Sequence, residues 1–240
     1  MKDDKQNIPI EENKTLIPLL VEGLSCRKDT ELAYLSFLDL HIISKYEPLK
    51  RKTLYDPNVW PRVCDRSISL LEELSDSLMY AAEVNISQQP LPSGVELRKN
   101  VMNQVQKGVF QLEQNLFKYS GKEYTKFIFR NLQIEIWAIE SLSFLLHHSK
   151  EEDNNGSVLS SNSLRTVLVC FASLGQQLER YVKSVPMKRR SVILEQPSIL
   201  SNVLSAAIYK ITTNFYEDLQ QIQFPSFVLQ SLQSYVDFRK

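Results

Sequence analysis

The sequence predicts an all-α protein, an irregular bundle of about seven helices. Apolar residues recur every three to four positions along most of the chain, which is the spacing of one helix face. No sustained alternation of apolar and polar residues favours a β-strand. No repeat of 20–50 residues is present, which excludes a regular solenoid. The irregular lengths of the periodic segments therefore favour a bundle.

The first 28 residues are predicted to form a flexible segment, followed by a single helical domain at residues 29–240. Residues 1–14 are polar, and an apolar island follows at residues 15–24. The island either docks on its own bundle or becomes ordered when a partner binds. The island's apolar residues, which form the predicted partner-binding site, are Leu16, Ile17, Leu19, Leu20, Val21 and Leu24.

Seven helices are expected in the helical domain. Pro48 ends the first of them, and the proline- and glycine-containing run at 88–94 ends the second. The fourth has apolar residues all round, which is typical of a central helix or of an interface. The polar stretch at 149–162 is predicted to be an exposed loop. The predicted helices span residues 29–46, 58–87, 95–119, 123–148, 163–185, 198–222 and 225–240.

Charge and composition exclude several classes of protein. The chain has 28 basic and 28 acidic residues, and this neutral balance argues against autonomous nucleic-acid binding, which needs a basic surface. No apolar run of about 18 residues favours a spanning helix, so we expect no membrane partner. The start lacks the pattern of a secretory signal. Three widely separated cysteines suit a reducing compartment, the nucleus or otherwise the cytoplasm.

The titratable residues do not assemble into a catalytic motif. Cys64 and Cys170 lie on apolar stripes and are expected to be small buried hydrophobes. Glu135 and Glu140 fall within the apolar fourth helix, where a carboxylate must find a partner, and Arg130 is one candidate. We therefore predict that the protein is not an enzyme and has no cofactor within the chain. The alternative is an enzyme whose active site is assembled from residues scattered along the chain.

Two short basic clusters are predicted to be loops. Such clusters contact phosphates or an acidic partner, serve as a nuclear import signal, or are simply solvated. The two clusters are Lys50, Arg51 and Lys52, and Lys188, Arg189 and Arg190.

The last helix is rich in aromatic residues for a chain end. Chain ends fray unless they are docked, so this helix is either packed in the core or part of a dimer face. The residues of the possible dimer face are Phe227, Val228, Leu232, Tyr235 and Val236.

A histidine in the first long helix, His41 within residues 39–43, suggests a family. Together with the helical layout and the apolar N-terminal segment, it resembles the fission-yeast-type shelterin bridge family, which is related in shape to the TRF-homology domain of telomere proteins. The resemblance implies a TRF-homology-like fold and a nuclear homodimer on chromosome ends. It also implies that His41 binds zinc at a partner interface, with the remaining ligands coming from the partner.

The leading hypothesis is a non-enzymatic adaptor that bridges protein partners by binding short peptide segments. The resemblance places it in a telomere-capping (shelterin) complex, without direct DNA binding. The alternative is a helical subunit of a ribonucleoprotein or RNA-processing complex that contacts RNA through the two basic clusters.

Overall fold

A computed structural model describes residues 10–26, 30–87, 121–185 and 194–236. All regular secondary structure within these ranges is α-helical, which confirms the predicted fold class. The helix predicted at 95–119 and the basic residues 188–190 lie outside the described residues. No helix in the described part of the chain has the length and apolar content that crossing a membrane requires.

The described ranges contain eleven helices. They are α1 (Ile10–Leu24), α2 (Thr30–Tyr46), α3 (Pro48–Leu54), α4 (Trp60–Ser87), α5 (Gly121–Ile128), α6 (Leu132–Glu152), α7 (Ser157–Ser160), α8 (Ser163–Ser184), α9 (Glu195–Asn214), α10 (Tyr216–Leu219) and α11 (Ser226–Val236).

Helix α6 is enclosed by its neighbours. It packs against α2, α4 and α9, and its buried residues, which include Ala138, Ile139, Ser141 and Ser143, extend over more than half of its circumference. This enclosure explains why its apolar residues follow no single stripe. A second layer forms where α4 packs along α8, and α9 and α11 cover α8 on another side.

Helix α1 docks on the rest of the chain. Ile17, Leu20, Val21 and Leu24 are buried, and α1 contacts α2, α3 and α4. A Cβ atom at Gly23 would overlap the Ser36 side chain, so the glycine permits a close crossing of α1 and α2. The structure therefore shows the island packed on its own bundle.

Helix α3 and the turn after it join the N-terminal helices to the C-terminal half. Arg51 Nε and Nη2 donate to the two carboxylate oxygens of Glu152 at 2.7 and 2.6 Å, and Nη1 donates to the Ser44 carbonyl at 2.8 Å. Tyr55 Oη donates to the Leu145 carbonyl at 2.7 Å. The Trp60 indole N–H donates to Ser163 Oγ at 2.9 Å. These bonds satisfy polar groups that burial would otherwise penalise.

The stretch at 149–162 differs from the predicted exposed loop. Helix α6 continues to Glu152, and the short helix α7 buries Val158. The Asp153 carboxylate accepts hydrogen bonds from the backbone N–H groups of Asn155 and Val158, which tightens the turn. The segment is polar overall, but its buried apolar side chain, Val158, packs against the core.

Two predicted helices are divided. The segment 123–148 is interrupted by a turn at 129–131 between α5 and α6, and 198–222 is divided between α9 and α10. Helix α9 also begins earlier than predicted, at Glu195. Pro197 is tolerated in its first turn, because backbone N–H groups there have no hydrogen-bond partner within the helix. The basic residues 50–52 lie within α3, which begins at Pro48.

Two adjacent leucines test the docking of α1. Leu20 is 5% exposed and Leu19 is 66% exposed. We expect Leu20→Ala to lower the free energy of unfolding by about 2–5 kcal/mol, because it leaves a cavity in the core. Leu19→Ala, the matched control, should change it by about 0.5 kcal/mol or less. Urea denaturation of both variants measures the difference, and equal effects would contradict the docked position.

Candidate functional site

His41 lies at the contact of α2 and α6. Its side chain is 12% exposed, and its Nδ1 lies 3.5 Å from Glu140 Oε2 without a hydrogen bond. Burial lowers the pKa of His41, Glu140 opposes that shift, and Lys45 adds to it. Within the described ranges, no group of three or more His, Cys, Asp or Glu side chains is placed to hold a metal ion. Zinc binding by His41 with ligands from a partner stays a prediction.

The basic cluster at 50–52 is not the solvated loop that was predicted. Arg51 is buried and its guanidinium is bound by Glu152, while Lys50 Nζ pairs with Glu47 Oε2 at 2.6 Å. Only Lys52 of the three is exposed and without a described ion pair. Arg51 therefore stabilises the fold and does not present its charge at the surface. Lys188, Arg189 and Arg190 lie outside the described residues.

The apolar island divides between core and surface. Leu16 and Leu19 remain exposed, at 41% and 66%, after the other leucines of α1 are buried. The partner-binding role of the island, reduced to these two side chains, stays a prediction.

The predicted dimer face lies against the chain's own core. Helix α11 packs on α8 and α9, and it buries Val228 and Leu232. Tyr235 Oη donates to Ser205 Oγ of α9 at 3.2 Å, and Phe227 is partly buried against the same cluster. The Val236 side chain lies outside the described residues. This face is therefore used within the chain.

A cationic cluster that sequence reasoning missed lies between α2, α6 and α9. The Lys210 ammonium lies over the Phe144 ring, 3.4 Å from its centroid, and the Lys45 ammonium lies 5.5 Å from the same centroid. We call this set the Lys45–Phe144–Lys210 cluster. The three residues come from three separate helices, so no local motif could have indicated it.

The cluster borders an open groove between α6 and α9. The groove has a volume of about 260 Å³, and its α9 wall is built from small side chains, Ala206 and Ala207 among them. Burial lowers the pKa of Lys210, while Glu140 raises it and Lys45 lowers it further. The cluster therefore brings two lysines beside the carboxyl group of Glu140.

Glu135 on α6 is buried, and the described residues do not provide both of its oxygens with the hydrogen-bonded partner that was predicted. It is 4% exposed, and burial raises its pKa to about 8, an effect that Arg130 only partly opposes. Arg130, the predicted partner, lies with its guanidinium over the Phe127 ring at 4.6 Å. Among the described residues, Glu135 Oε2 has no hydrogen-bond partner.

The cysteines on the apolar stripes are buried, as expected. Burial raises the pKa values of both Cys64 and Cys170 to about 12. Both thiols therefore stay protonated near neutral pH, which removes the reactivity of a thiolate.

Comparison with known proteins identifies relatives. The model of a family described as "Nucleoporin protein Ndc1-Nup" matches residues 84–233. Nucleoporin NDC1 of Xenopus laevis is 32% identical over 135 residues, covering 52% of this chain and 20% of the relative. Nucleoporin NDC1 of Mus musculus and that of Homo sapiens are each 27% identical over 197 residues, covering 77% of this chain. The chain spans 29% of the length of the two mammalian relatives.

These matches contradict the resemblance to the shelterin bridge family. They also overturn the hypotheses of a telomere adaptor, of a homodimer on chromosome ends, and of an RNA-processing subunit. The resemblance depended on an all-helical layout and on His41, which many unrelated helical proteins share. The RNA hypothesis further required Arg51 at the surface, whereas the structure buries it against Glu152.

Arg51 and Lys52 provide a matched test of the basic cluster. We expect Arg51→Ala to lower the free energy of unfolding by about 3–5 kcal/mol, because it leaves Glu152 as an uncompensated, largely buried charge. Lys52→Ala should change it by about 0.5 kcal/mol or less. Thermal and urea unfolding measure both, and a small effect of Arg51→Ala would show that Arg51 is not buried.

Glu135 should make stability depend on pH. Its folded pKa of about 8 exceeds that of an unfolded glutamate, so the folded state holds the proton over a wider range. Stability from this group is complete below about pH 4.5 and is lost as pH rises through 8, at up to roughly 1.4 kcal/mol per pH unit. We expect Glu135→Gln to flatten this slope and to be more stable than the wild type at pH 8.5.

Urea denaturation from pH 5 to 9 measures the slope, and the difference between the two proteins isolates Glu135 from the histidines. Glu83→Gln, which changes an exposed carboxylate on α4, is the control and should keep the wild-type slope. Identical slopes for wild type and Glu135→Gln would contradict the raised pKa.

Proposed function

Because the chain belongs to the Ndc1-Nup nucleoporin family, we propose that it is a structural helical module of the nuclear pore that contacts other pore proteins. The match of the family model to residues 84–233 carries this proposal. That range includes α5 to α10, and therefore the α6–α9 groove. A nuclear location at the pore and protein partners follow from the same proposal.

A structural role rather than catalysis agrees with how the chain uses its reactive groups. Cys64 and Cys170 are buried with raised pKa values. Arg51 and Glu152 bind each other and connect α3 to α6. These groups stabilise the helical core, and this suits a module whose task is to hold a shape.

We place the partner contact at the Lys45–Phe144–Lys210 cluster, and we assign to it an acidic segment of another pore protein. The Lys210 ammonium lies over the Phe144 ring, and the Lys45 ammonium lies between this ring and that of Tyr46. No ion pair is formed by either lysine within the described residues. A carboxylate of the partner would interact with both, and the small residues of α9 leave room for its backbone. Charge complementarity of this kind selects partners and speeds association.

Localisation tests the proposed function. A fluorescently tagged full chain, expressed in eukaryotic cells, should concentrate at the nuclear rim and should co-purify with other nucleoporins. A uniform distribution without co-purified nucleoporins would overturn the proposal.

Charge reversal tests the contact surface. We expect Lys45→Glu/Lys210→Glu to reduce the co-purified nucleoporins at least several-fold, because like charges then oppose the acidic segment. Lys52→Glu reverses an exposed lysine outside the cluster and should retain them. Circular dichroism should show the same helicity for all three proteins. Full retention by the double variant would reject this surface and leave the localisation result unaffected.

A further inference from the structure

A pocket on the α4 side of α6 contains the buried carboxyl group of Glu135. The pocket has a volume of about 360 Å³ and lies between α4, α5 and the start of α6. We call it the Glu135 pocket. It is lined by Leu70, Glu73, Leu74, Asp76, Ser77, Tyr80, Phe127, Ile128, Arg130, Asn131 and Glu135.

Glu135 gives the pocket an unsatisfied polar atom. The side chain is 4% exposed, and Oε2 has no hydrogen-bond partner in the described part of the chain. More than nine in ten buried polar groups in native proteins are paired, and an unpaired one destabilises the fold. An atom of this kind, at the wall of a pocket, indicates a polar ligand, and the ionised carboxylate accepts hydrogen bonds from a ligand that donates them.

The charges around the pocket favour a cation. Glu73 and Asp76 of α4 place two carboxyl groups at the pocket, and Glu135 of α6 adds a third negative charge when it ionises. Arg130 is the one basic side chain in the lining. The Arg130 guanidinium lies over the Phe127 ring and only partly offsets the effect of burial on the pKa of Glu135. Phe127 is 60% exposed, and such a ring stacks well on a planar cation.

We propose that the Glu135 pocket receives an arginine or lysine side chain of a protein that binds this module. The inference rests on the proposed function for the statement that this protein is a pore component. The guanidinium or ammonium would donate to Glu135 Oε2, with Asp76 at the rim and Tyr80 and Phe127 beside its stem. The raised pKa of Glu135 adds a consequence, since binding a cation favours the charged carboxylate and releases its proton.

The test uses two small probes that differ in charge. N-acetyl-arginine amide carries the guanidinium, and N-acetyl-citrulline amide is its neutral isostere. In NMR titrations of the full chain, we expect saturable shifts with the arginine probe and none with the citrulline probe. Binding should strengthen from pH 7 to pH 9 as Glu135 ionises. Equal shifts with both probes, or arginine binding that does not change with pH, would overturn the proposal.

Variants identify the carboxylate. At pH 9, where Glu135 is ionised, Glu135→Gln should weaken arginine binding at least about tenfold, the loss expected when a desolvated charge partner is removed, and it should remove the pH dependence of binding. Asp76→Asn at the exposed rim should weaken it about two- to fivefold, which keeps the test valid if the Glu135 variant unfolds. Glu83→Gln should bind as the wild type does. Wild-type binding by Glu135→Gln would reject the pocket.

Failure here is distinguishable from failure of the proposed function. A chain that reaches the nuclear rim and co-purifies with nucleoporins, but binds neither probe, rejects the pocket alone. A chain that binds arginine through Glu135 but does not reach the rim rejects the nuclear pore role and leaves the cation site standing.

Discussion

The enclosure of α6 is the constraint on which the other helices depend. This helix has apolar residues on all sides, so exposing any one side would leave a large apolar surface in water. Helices α2, α4 and α9 each cover one side. The amphipathic helices bury their apolar faces against this arrangement. Helix α8 packs on α4 and α9, and α11 covers α8.

The same enclosure separates two charged regions. Glu135 and Phe144 are nine positions apart, which is two and a half turns, so they project from opposite sides of α6. Glu135 faces the pocket beside α4, with its excess of carboxyl groups. Phe144 faces α9 and the two lysines. One central helix thus places an acidic and a basic surface on opposite sides of the module.

The sequence predicted features that depend on neighbours along one helix. The absence of a single stripe around Ile139 indicated a central helix or an interface, and the position of Glu135 among apolar residues indicated a carboxylate that needs a partner. It could not predict features that depend on residues far apart. Arg51 was interpreted as surface charge because its partner, Glu152, is 101 positions away. Pro48 was interpreted only as a helix end, although proline is also favoured at the first position of a new helix.

The hydrogen bonds between the N-terminal helices and the second half of the chain have a consequence for the order of folding. Tyr55 and Trp60 satisfy their polar groups with Leu145 and Ser163, which lie 90 and 103 positions later. During synthesis the N-terminal helices therefore emerge well before these partners exist. Their apolar surfaces stay unmatched until the second half of the chain follows, and long-range closure of this kind is slow. The N-terminal half therefore cannot complete its native packing before the second half of the chain has been synthesised.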